Sequence, residues 1–266
     1  MVVRSIREWR PEGASTEPEF TLVLIHGSMD RQTAFRRLAR SLSATNRVLT
    51  YDRRGYADSS DMTGPFGVEQ HVSDLLEVIA GRRVVLIGHS FGGVVALACA
   101  SGHPELVRGV VVYESPMSWE PWWPKDSGGA QAVAMSDDPE AAAEAFLIRF
   151  IGDRLWNRLP EATKRARRAE GVALVGELGD LRAAVAWRPE DLRIPVVSGF
   201  GSRAREHVRR ASEIIGALPD GRAAMLEGAH HNGHSSEPEN FERTLIVPLL
   251  ERLRTGRWPD RTDAAP

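Results

Sequence analysis

The first part of the chain alternates short apolar runs with amphipathic segments of helical periodicity. The apolar runs are typical of buried strands, and the amphipathic segments are typical of helices that pack against a sheet. The predicted strands are 21–27, 47–52, 83–90 and 107–115. The predicted helices between them are 33–42, 68–80 and 91–101. This alternation predicts an α/β fold with a mostly parallel central sheet flanked by helices.

The alternation stops after the fourth of these strands. Residues 116–193 contain tryptophans, prolines and helical stretches rich in Ala, Arg and Glu, and we predict no strand there. This block is therefore interpreted as a helical lid, or cap, inserted between two strands. The α/β core is expected to comprise 1–115 and 194–255.

The alternation of strands and helices returns after the insertion. Strands are predicted at 194–200 and 222–228, and helices at 203–217 and 238–253. The tail, 256–266, is polar and contains prolines, so it is predicted to be disordered. The segments on either side of the insertion thus belong to one sheet.

The size and charge of the chain exclude several classes of protein. Its 266 residues, 42% of them hydrophobic, can bury a full core, and we predict one domain with an insertion. A formal net charge of -2 gives no electrostatic reason to expect nucleic acid or an anionic membrane as a partner. The longest apolar stretches, such as 94–100, are far shorter than the roughly 20 residues needed to span a bilayer. Residues 1–11 lack the apolar run of a secretory signal, so a cytoplasmic location is expected.

Cys99 is the only cysteine of the chain. No intramolecular disulfide can therefore form, and no cysteine cluster is available to hold zinc. Because Cys99 lies in an apolar run, we expect it to be a small buried hydrophobic residue. We predict no cofactor and no metal, and the expected partner is a small-molecule acyl substrate. No pattern in the sequence sets an oligomeric state.

The segment Gly88-His89-Ser90-Phe91-Gly92 is a G-x-S-x-G sequence placed between a predicted strand and a predicted helix. This context is typical of a nucleophile elbow, in which a strained turn exposes a serine hydroxyl at the edge of the sheet. The two glycines remove Cβ atoms that would collide in so tight a turn. Ser90 is therefore the candidate nucleophile.

A serine hydroxyl becomes an effective nucleophile only when a neighbouring base accepts its proton. The chain has eight histidines. In the chain order typical of this motif, the serine comes first, the acid second and the histidine last, in a loop after the final strand. Only the segment 228–234, with the sequence GAHHNGH, fits that place.

At this point the sequence resembles the α/β-hydrolase family, in its lid-bearing esterase, perhydrolase and dehalogenase-like branch. The resemblance spans about 20–253. It is carried by four motifs in the expected order. They are His26-Gly27 after a strand, the segment DRRGYADS at 52–59, the Ser90 elbow, and the histidine loop followed by EPENF at 237–241.

The resemblance also distinguishes among the histidines of the loop. In this family the base usually occupies the fourth position of a G-x-G-H pattern, and the segment 228–231 places His231 there, with His230 in place of the usual glycine. The resemblance therefore implies His231 as the base. His234 matches a position where the family often has a histidine or aromatic residue that lines the site. A surface-loop role is the alternative for both His230 and His234.

The third member of the triad departs from the common pattern of the family. The family usually places an aspartate in a G-x-x-D arrangement just beyond the strand at 194–200, but Ser202 stands there. A carboxylate is needed to orient the histidine and to compensate its charge. Glu114, at the end of the strand 107–115, reaches the same carboxyl edge of the sheet as Ser90. Some family members carry their acid after this strand, so we assign the acid to Glu114, with Glu206 as its rival.

An acyl-transfer transition state also needs donors for its oxyanion. One is expected to be the backbone N–H of Phe91, and the resemblance implies that of Ser28 as the second, with Met29 as the alternative. His26 is expected to shape its loop rather than to transfer protons. The charged residues at 52–59 are likewise expected to hold a loop through hydrogen bonds.

Serine rather than aspartate at the elbow predicts acyl chemistry through an acyl-enzyme on Ser90. The predicted activity is hydrolysis of a carboxylic ester, or of a thioester or lactone, of a small to medium apolar substrate. Two alternatives use the same triad, namely a cofactor-free perhydrolase and a carbon–carbon bond hydrolase. A third is a noncatalytic ligand-binding protein built on the same fold.

The insertion is rich in aromatic side chains that are candidates for an apolar pocket over the site. An equal alternative for each of them is that it packs the lid helices onto the core. The candidate substrate-binding residues are Met29, His89, Trp119, Trp122, Trp123 and His234.

Overall fold

The computed structural model describes residues 5–11 and 17–260 of the chain. Its strands are β1 (Arg7–Trp9), β2 (Thr21–Ile25), β3 (Arg47–Thr50), β4 (Val84–His89), β5 (Val107–Tyr113), β6 (Val196–Gly201) and β7 (Gly221–Leu226). They form one seven-stranded sheet with the order β1-β3-β2-β4-β5-β6-β7. β1 pairs antiparallel with β3, and the other neighbouring strands pair in parallel. The prediction of a mostly parallel sheet is confirmed.

Twelve α-helices accompany the sheet in the described part of the chain. They are α1 (Arg36–Leu42), α2 (Val68–Ile79), α3 (Phe91–Gly102), α4 (Gly128–Ala134), α5 (Pro139–Ile151), α6 (Asp153–Arg158), α7 (Glu161–Ala169), α8 (Gly171–Ala183), α9 (Glu206–Gly216), α10 (Gly233–Ser236), α11 (Pro238–Phe241) and α12 (Val247–Thr255). A π-helical turn, Glu242–Ile246, joins α11 to α12. None of the helices in the described ranges is long and apolar enough to span a bilayer.

The central strands β2–β6 are buried on both faces of the sheet. In β2, Val23 and Ile25 pack into one apolar cluster with α2 and α3, whereas Leu22 and Leu24 pack into another with α1 and α12. Successive side chains of a strand point to opposite faces. A strand covered on both sides must therefore be apolar at every position, which explains the continuous apolar runs in the sequence.

The residues between β5 and β6 fold as helices α4–α8, without a strand in this part of the chain, which the structure describes in full. These helices share a third apolar cluster, in which Leu147, Trp156 and Leu174 pack with Met29 and Tyr56 of the core segment. The insertion thus has apolar packing of its own and rests on the loops at the edge of the sheet.

A buried ion pair also joins the insertion to the core. Arg53 Nη1, in the loop after β3, donates to Glu177 Oε2 of α8 at 2.8 Å, and both side chains are fully buried. The hydroxyl of Tyr56 donates to the other oxygen of Glu177 at 2.6 Å. Attraction between two charges is strong in such a desolvated position, so this contact holds α8 against the core. The expectation that residues 52–59 act through hydrogen bonds agrees with this arrangement.

Two features near the ends of the chain, an edge strand and a contact of the tail, were not predicted from the sequence. β1 is a short edge strand of partly exposed residues, Arg-Glu-Trp, which have no apolar run to mark them. In the tail, Trp258 Nε1 donates to Asp220 Oδ1 at 2.8 Å, so the predicted disordered segment begins with residues that contact the core. The rest of that segment, 261–266, lies outside the described residues.

Candidate active site

Ser90 lies at the turn between β4 and α3. Its φ of 53° and ψ of -123° are a conformation that residues with a side chain rarely adopt. A Cβ atom at Gly88 would collide with the backbone of Gly92, and one at Gly92 would collide with the carbonyl group of Ile25. The turn therefore requires glycine at both positions, which is the physical reason for the G-x-S-x-G spacing.

His231 contacts a carboxylate from a distant strand. Its Nδ1 lies 2.7 Å from Glu114 Oε2, and Glu114 Oε1 accepts the N–H of Gly201 at 3.1 Å. The side chain of Glu114 is 3% exposed and that of His231 is 28% exposed. Because a carboxylate only accepts hydrogen bonds, Nδ1 carries the proton and Nε2 keeps its lone pair. The free Nε2 is the atom that a general base needs.

The alternative positions for the acid do not reach the histidine. Ser202 Oγ accepts the N–H of Gly228 at 2.8 Å. Glu206 begins α9 and is exposed, and no hydrogen bond among the described residues joins it to His231. Glu114 is thus the carboxylate that the fold brings to the imidazole.

Ser90 and His231 line the same pocket. Within the described ranges, however, no hydrogen bond joins Ser90 Oγ to the imidazole of His231. In enzymes without substrate, catalytic hydrogen bonds are often long and tighten only in the complex. The structure therefore places the candidate nucleophile and the candidate base at one cavity, without a direct hydrogen bond between them in the described part of the chain.

The two expected oxyanion donors lie at the same cavity, since Ser28 and Phe91 both line it. Phe91 is the first residue of α3, so its N–H has no carbonyl one turn earlier in the helix. The partial positive charge of the helix N-terminus adds to that of the N–H group. Met29, the alternative donor, has a buried side chain and is not among the described residues that line the pocket.

The pocket has a volume of about 600 Å³. The insertion contributes apolar side chains to its lining, including Phe146, Phe150 and Leu178. The ring of Phe150 lies 5.2 Å from that of His231, centroid to centroid. Three arginines, Arg149, Arg203 and Arg205, also line the pocket. The cavity therefore combines apolar side chains with positive charge, and the insertion contributes both, since Arg149 lies in α5 with Phe146 and Phe150.

The structure places the predicted substrate-binding tryptophans at different positions relative to the cavity. Trp123 lines the cavity and packs edge to face on His207. Trp119 instead packs at right angles on Trp187 at 5.9 Å, and the guanidinium of Arg210 lies 4.5 Å from the ring of Trp122. Neither Trp119 nor Trp122 is among the described lining residues. Both rings are partly buried and pack against the apolar cluster of the core.

Met29, His89 and His234, the other candidates for substrate contact, are buried beneath the cavity. None of them lines the pocket in the part of the chain that the structure describes. His230, in contrast, is exposed and lines the pocket, with its Nε2 2.9 Å from Arg203 Nη1. Of the three histidines in this segment, His230 is exposed, His231 is half-buried and His234 is buried. Their spacing in the sequence does not predict this difference in burial.

His26 is fully buried and holds the loop that precedes Ser28. Its Nε2 accepts the N–H of Arg53 at 2.8 Å, so Nδ1 carries the proton and donates to the carbonyl of Gly27 at 2.8 Å. Burial and the charge of Arg53 lower the pKa of His26 to about 3. His26 is therefore a neutral structural residue, in agreement with the expectation from the sequence.

One cluster at the site was missed by sequence reasoning. Asp30, His89 and His234 each offer a ligand atom, and these atoms lie within 4.8 Å of one another. His89 Nε2 is 2.9 Å from the carbonyl oxygen of His231. The two histidines were noted in the sequence, but only as pocket candidates. No sequence signal singled out Asp30, because it comes from a different loop.

Comparisons with known proteins agree with the fold and the order of the motifs. The model of the Alpha/beta hydrolase family matches residues 22–244. A pimeloyl-[acyl-carrier protein] methyl ester esterase of Edwardsiella ictaluri is 29% identical over 238 residues, which cover 83% of this chain and 89% of the esterase. The enzyme of the same name from Yersinia enterocolitica is 27% identical, with 90% and 96% covered.

Solved structures show the same fold. An enol-lactonase from Burkholderia xenovorans LB400 superposes with a TM-score of 0.70 at 21% identity, covering 92% of this chain and 95% of that one. An esterase from Thermogutta terrifontis gives a TM-score of 0.70 at 20% identity, with 94% of each chain covered. The family model matches most of the chain, and the sheet, the elbow and the histidine loop occur in the expected order. The chain therefore belongs to the alpha/beta hydrolase family.

Proposed function

We propose that this chain is a serine hydrolase that cleaves a carboxylic ester, with Ser90 as nucleophile, His231 as general base and Glu114 as its acid partner. The observation that carries the proposal is the contact of 2.7 Å between His231 and Glu114 at a pocket that Ser90 also lines. The names of the relatives that are 29% and 27% identical support ester cleavage, since both are methyl ester esterases.

In the proposed reaction, His231 Nε2 accepts the proton of Ser90 while Oγ attacks the acyl carbon. The N–H groups of Ser28 and Phe91 donate to the resulting oxyanion. As the tetrahedral intermediate collapses, His231 gives its proton to the departing alcohol, which leaves an acyl-enzyme. Water then attacks the acyl-enzyme while His231 Nε2 accepts its proton. Collapse of the second tetrahedral intermediate, with that proton returned to Ser90 Oγ, releases the carboxylic acid and regenerates Ser90. Glu114 stabilises the imidazolium in both halves of the reaction.

The helical insertion, 116–193, is proposed to act as the lid of this pocket. Its support is the contribution of Phe146, Phe150 and Leu178 to the lining and the proximity of Phe150 to His231. Closing an active site excludes water and strengthens the electrostatic interactions inside it. In this proposal, the α/β core that carries the lid comprises 1–115 and 194–255.

The lining also supports a proposal about the substrate. Three arginines stand at the pocket, whereas Glu114, the one acidic side chain among the described lining residues, is engaged with His231. Apolar side chains, including Phe146, Phe150 and Leu178, line the same pocket. We therefore expect acyl substrates that combine an apolar chain with a negatively charged group away from the ester. A carboxylate suits a guanidinium because it accepts two parallel hydrogen bonds.

The test combines an ester panel with active-site labelling of the purified chain. The panel contains short-chain aryl esters and methyl esters, the latter with either a neutral or a carboxylate end. We expect turnover that Ser90→Ala abolishes, a higher kcat/KM for the carboxylate series, and phosphonate labelling of Ser90 by mass spectrometry. Absence of both labelling and turnover would contradict the proposal and favour a ligand-binding protein. Peroxide-dependent oxidation without ester turnover would favour a perhydrolase.

A further inference from the structure

Next to the nucleophile elbow in the chain, at His89, three segments bring a carboxylate and two imidazoles together. Asp30 follows β2, His89 ends β4, and His234 lies in α10, which follows β7. Each is within a few positions of a residue of the proposed machinery, namely Ser28, Ser90 or His231. The side chains of His89 and His234 are only 3% and 1% exposed.

The hydrogen-bond chemistry of His89 leaves one nitrogen unexplained. Its Nε2 lies 2.9 Å from the carbonyl oxygen of His231, which can only accept, so Nε2 carries the proton. In the neutral ring Nδ1 then holds a lone pair, and it faces Asp30 Oδ2 at 3.7 Å. Nδ1 has no hydrogen-bond partner among the described residues. Two acceptors thus face each other in a buried position, an arrangement that a cation between them would stabilise.

His234 faces the same oxygen of Asp30. Its Nε2 lies 3.3 Å from Asp30 Oδ2, and neither of its ring nitrogens has a hydrogen-bond partner in the described part of the chain. The rings of His89 and His234 lie 4.0 Å apart, centroid to centroid. The other oxygen of Asp30 accepts the N–H of Arg31 at 2.8 Å, which leaves Oδ2 directed to the two imidazoles.

The distances fit a small divalent ion. Zinc binds imidazole nitrogen and carboxylate oxygen at about 2.0–2.2 Å, so two ligands of a tetrahedral site lie roughly 3.3 Å apart. The two carboxylate-to-imidazole distances are 3.3 and 3.7 Å. A metal-bound histidine typically donates its other ring N–H to a carbonyl or carboxylate, which His89 does. Asp30, with a side chain 23% exposed, provides access for the ion and for a water as fourth ligand.

We propose that Asp30 Oδ2, His89 Nδ1 and His234 Nε2 form a binding site for a divalent transition-metal ion, with Zn²⁺ as the ion that suits this donor set best. The proposed role of the site is structural, because Asp30, His89 and His234 are not among the described residues that line the pocket. The ion would join three segments of the chain. The segment after β7 also contains His231, whose carbonyl oxygen accepts a hydrogen bond from His89. The ion thereby links metal binding to the stability of the active-site loops, independently of the reaction that they support.

The test measures metal binding directly and does not depend on catalysis. The full chain is treated with EDTA, freed of chelator, and melted with and without Zn²⁺. At a Zn²⁺ concentration about 100 times the Kd, we expect a rise in Tm of about 5 °C or more. Asp30→Asn and His234→Gln should each abolish most of that rise. His230→Gln, four positions from His234 but exposed at the pocket, is the matched control and should retain it.

Three outcomes would overturn the site. They are no change in Tm for the original chain, an equal rise in Asp30→Asn or His234→Gln, and loss of the rise in His230→Gln, which would place the ion in the pocket. Co²⁺ provides a second measurement, since four-coordinate Co²⁺ with nitrogen ligands has intense visible absorption. If a variant fails to fold, a titration of the original chain with Co²⁺ decides, and the absence of such bands with one equivalent would contradict the proposal.

Discussion

The carboxylate of Glu114 lies 2.7 Å from the imidazole of His231, although 117 positions separate the two residues in the chain. Glu114 directly follows β5, and His231 lies in the loop after β7. Both loops open at the carboxyl edge of the parallel sheet, where ligands and catalytic groups of such folds gather. The acid of the proposed triad therefore comes from a strand nearer the nucleophile than the one the family commonly uses.

Replacing the acid tests this assignment. Glu114→Gln keeps the shape of the side chain but removes the charge that stabilises the imidazolium, and it no longer imposes the productive tautomer. We expect kcat to fall by about 10³–10⁴-fold with little change in KM. Ser202→Ala, at the position where the family usually has its aspartate, is the control and should leave kcat within about twofold. The reverse ranking of the two variants would remove Glu114 from the mechanism.

The neighbouring tryptophans provide a matched pair for the pocket. Trp123 lines the cavity, whereas Trp122 packs against Arg210 outside it. Trp123→Ala should raise KM for an aryl ester about tenfold, since the loss of about 1.4 kcal/mol of contact with the substrate is a factor of ten. Trp122→Ala should change kcat/KM less than about twofold. Steady-state kinetics on one ester measure both, and equal effects would refute the placement of these rings.

The buried ion pair between the insertion and the core predicts a large effect on stability. Glu177→Gln leaves the charge of Arg53 buried without a counter-charge, so the free energy of unfolding should fall by about 3–5 kcal/mol. Urea denaturation at neutral pH measures this change. The control is Glu161→Gln, which removes an ion pair of Arg168 whose glutamate side chain is 58% exposed, and it should cost less than about 1 kcal/mol. Comparable losses in the two variants would contradict a special role for the buried pair.

Acid should destabilise the fold in two successive ranges of pH. The pKa of His26 is lowered from 6.5 to about 3, chiefly by burial. Between pH 6.5 and pH 3, His26 is therefore protonated in the unfolded chain and neutral in the folded chain. For Glu177, burial raises the pKa, but Arg53 and His71 together more than offset this and lower it from 4.5 to about 2. The free energy of unfolding should therefore decrease as the pH falls below about 6.5, and decrease further below about 4.5.

Urea midpoints measured across this range check the prediction. In Glu177→Gln the decline below about pH 4.5 should be shallower, because glutamine does not titrate, while the decline that begins near pH 6.5 should persist. An unfolding free energy that stays constant from pH 6.5 to 4.5 in the original chain would contradict the neutral, buried state of His26.

Much of the fold follows from local patterns. The central strands are mostly apolar because both their faces are covered, and these strands and the edge strand β7 were predicted close to their observed places. The elbow was predictable for a similar reason, since Gly88 and Gly92 act over a few bonds and the turn cannot form with other residues there. Even the assignment of Glu114 rested on a local fact, its position at the end of an apolar strand.

The remaining features depended on side chains that meet only in the folded molecule. The pairing of Arg53 with Glu177, the placement of Trp123 at the cavity rather than Trp122, and the meeting of Asp30 with two histidines all join loops or helices that are distant in sequence. Periodicity and motif spacing constrain a chain over a few residues and say on which face of an element a side chain lies. Which loops then meet is decided by strand order and by the docking of the insertion, and these properties belong to the whole packed structure.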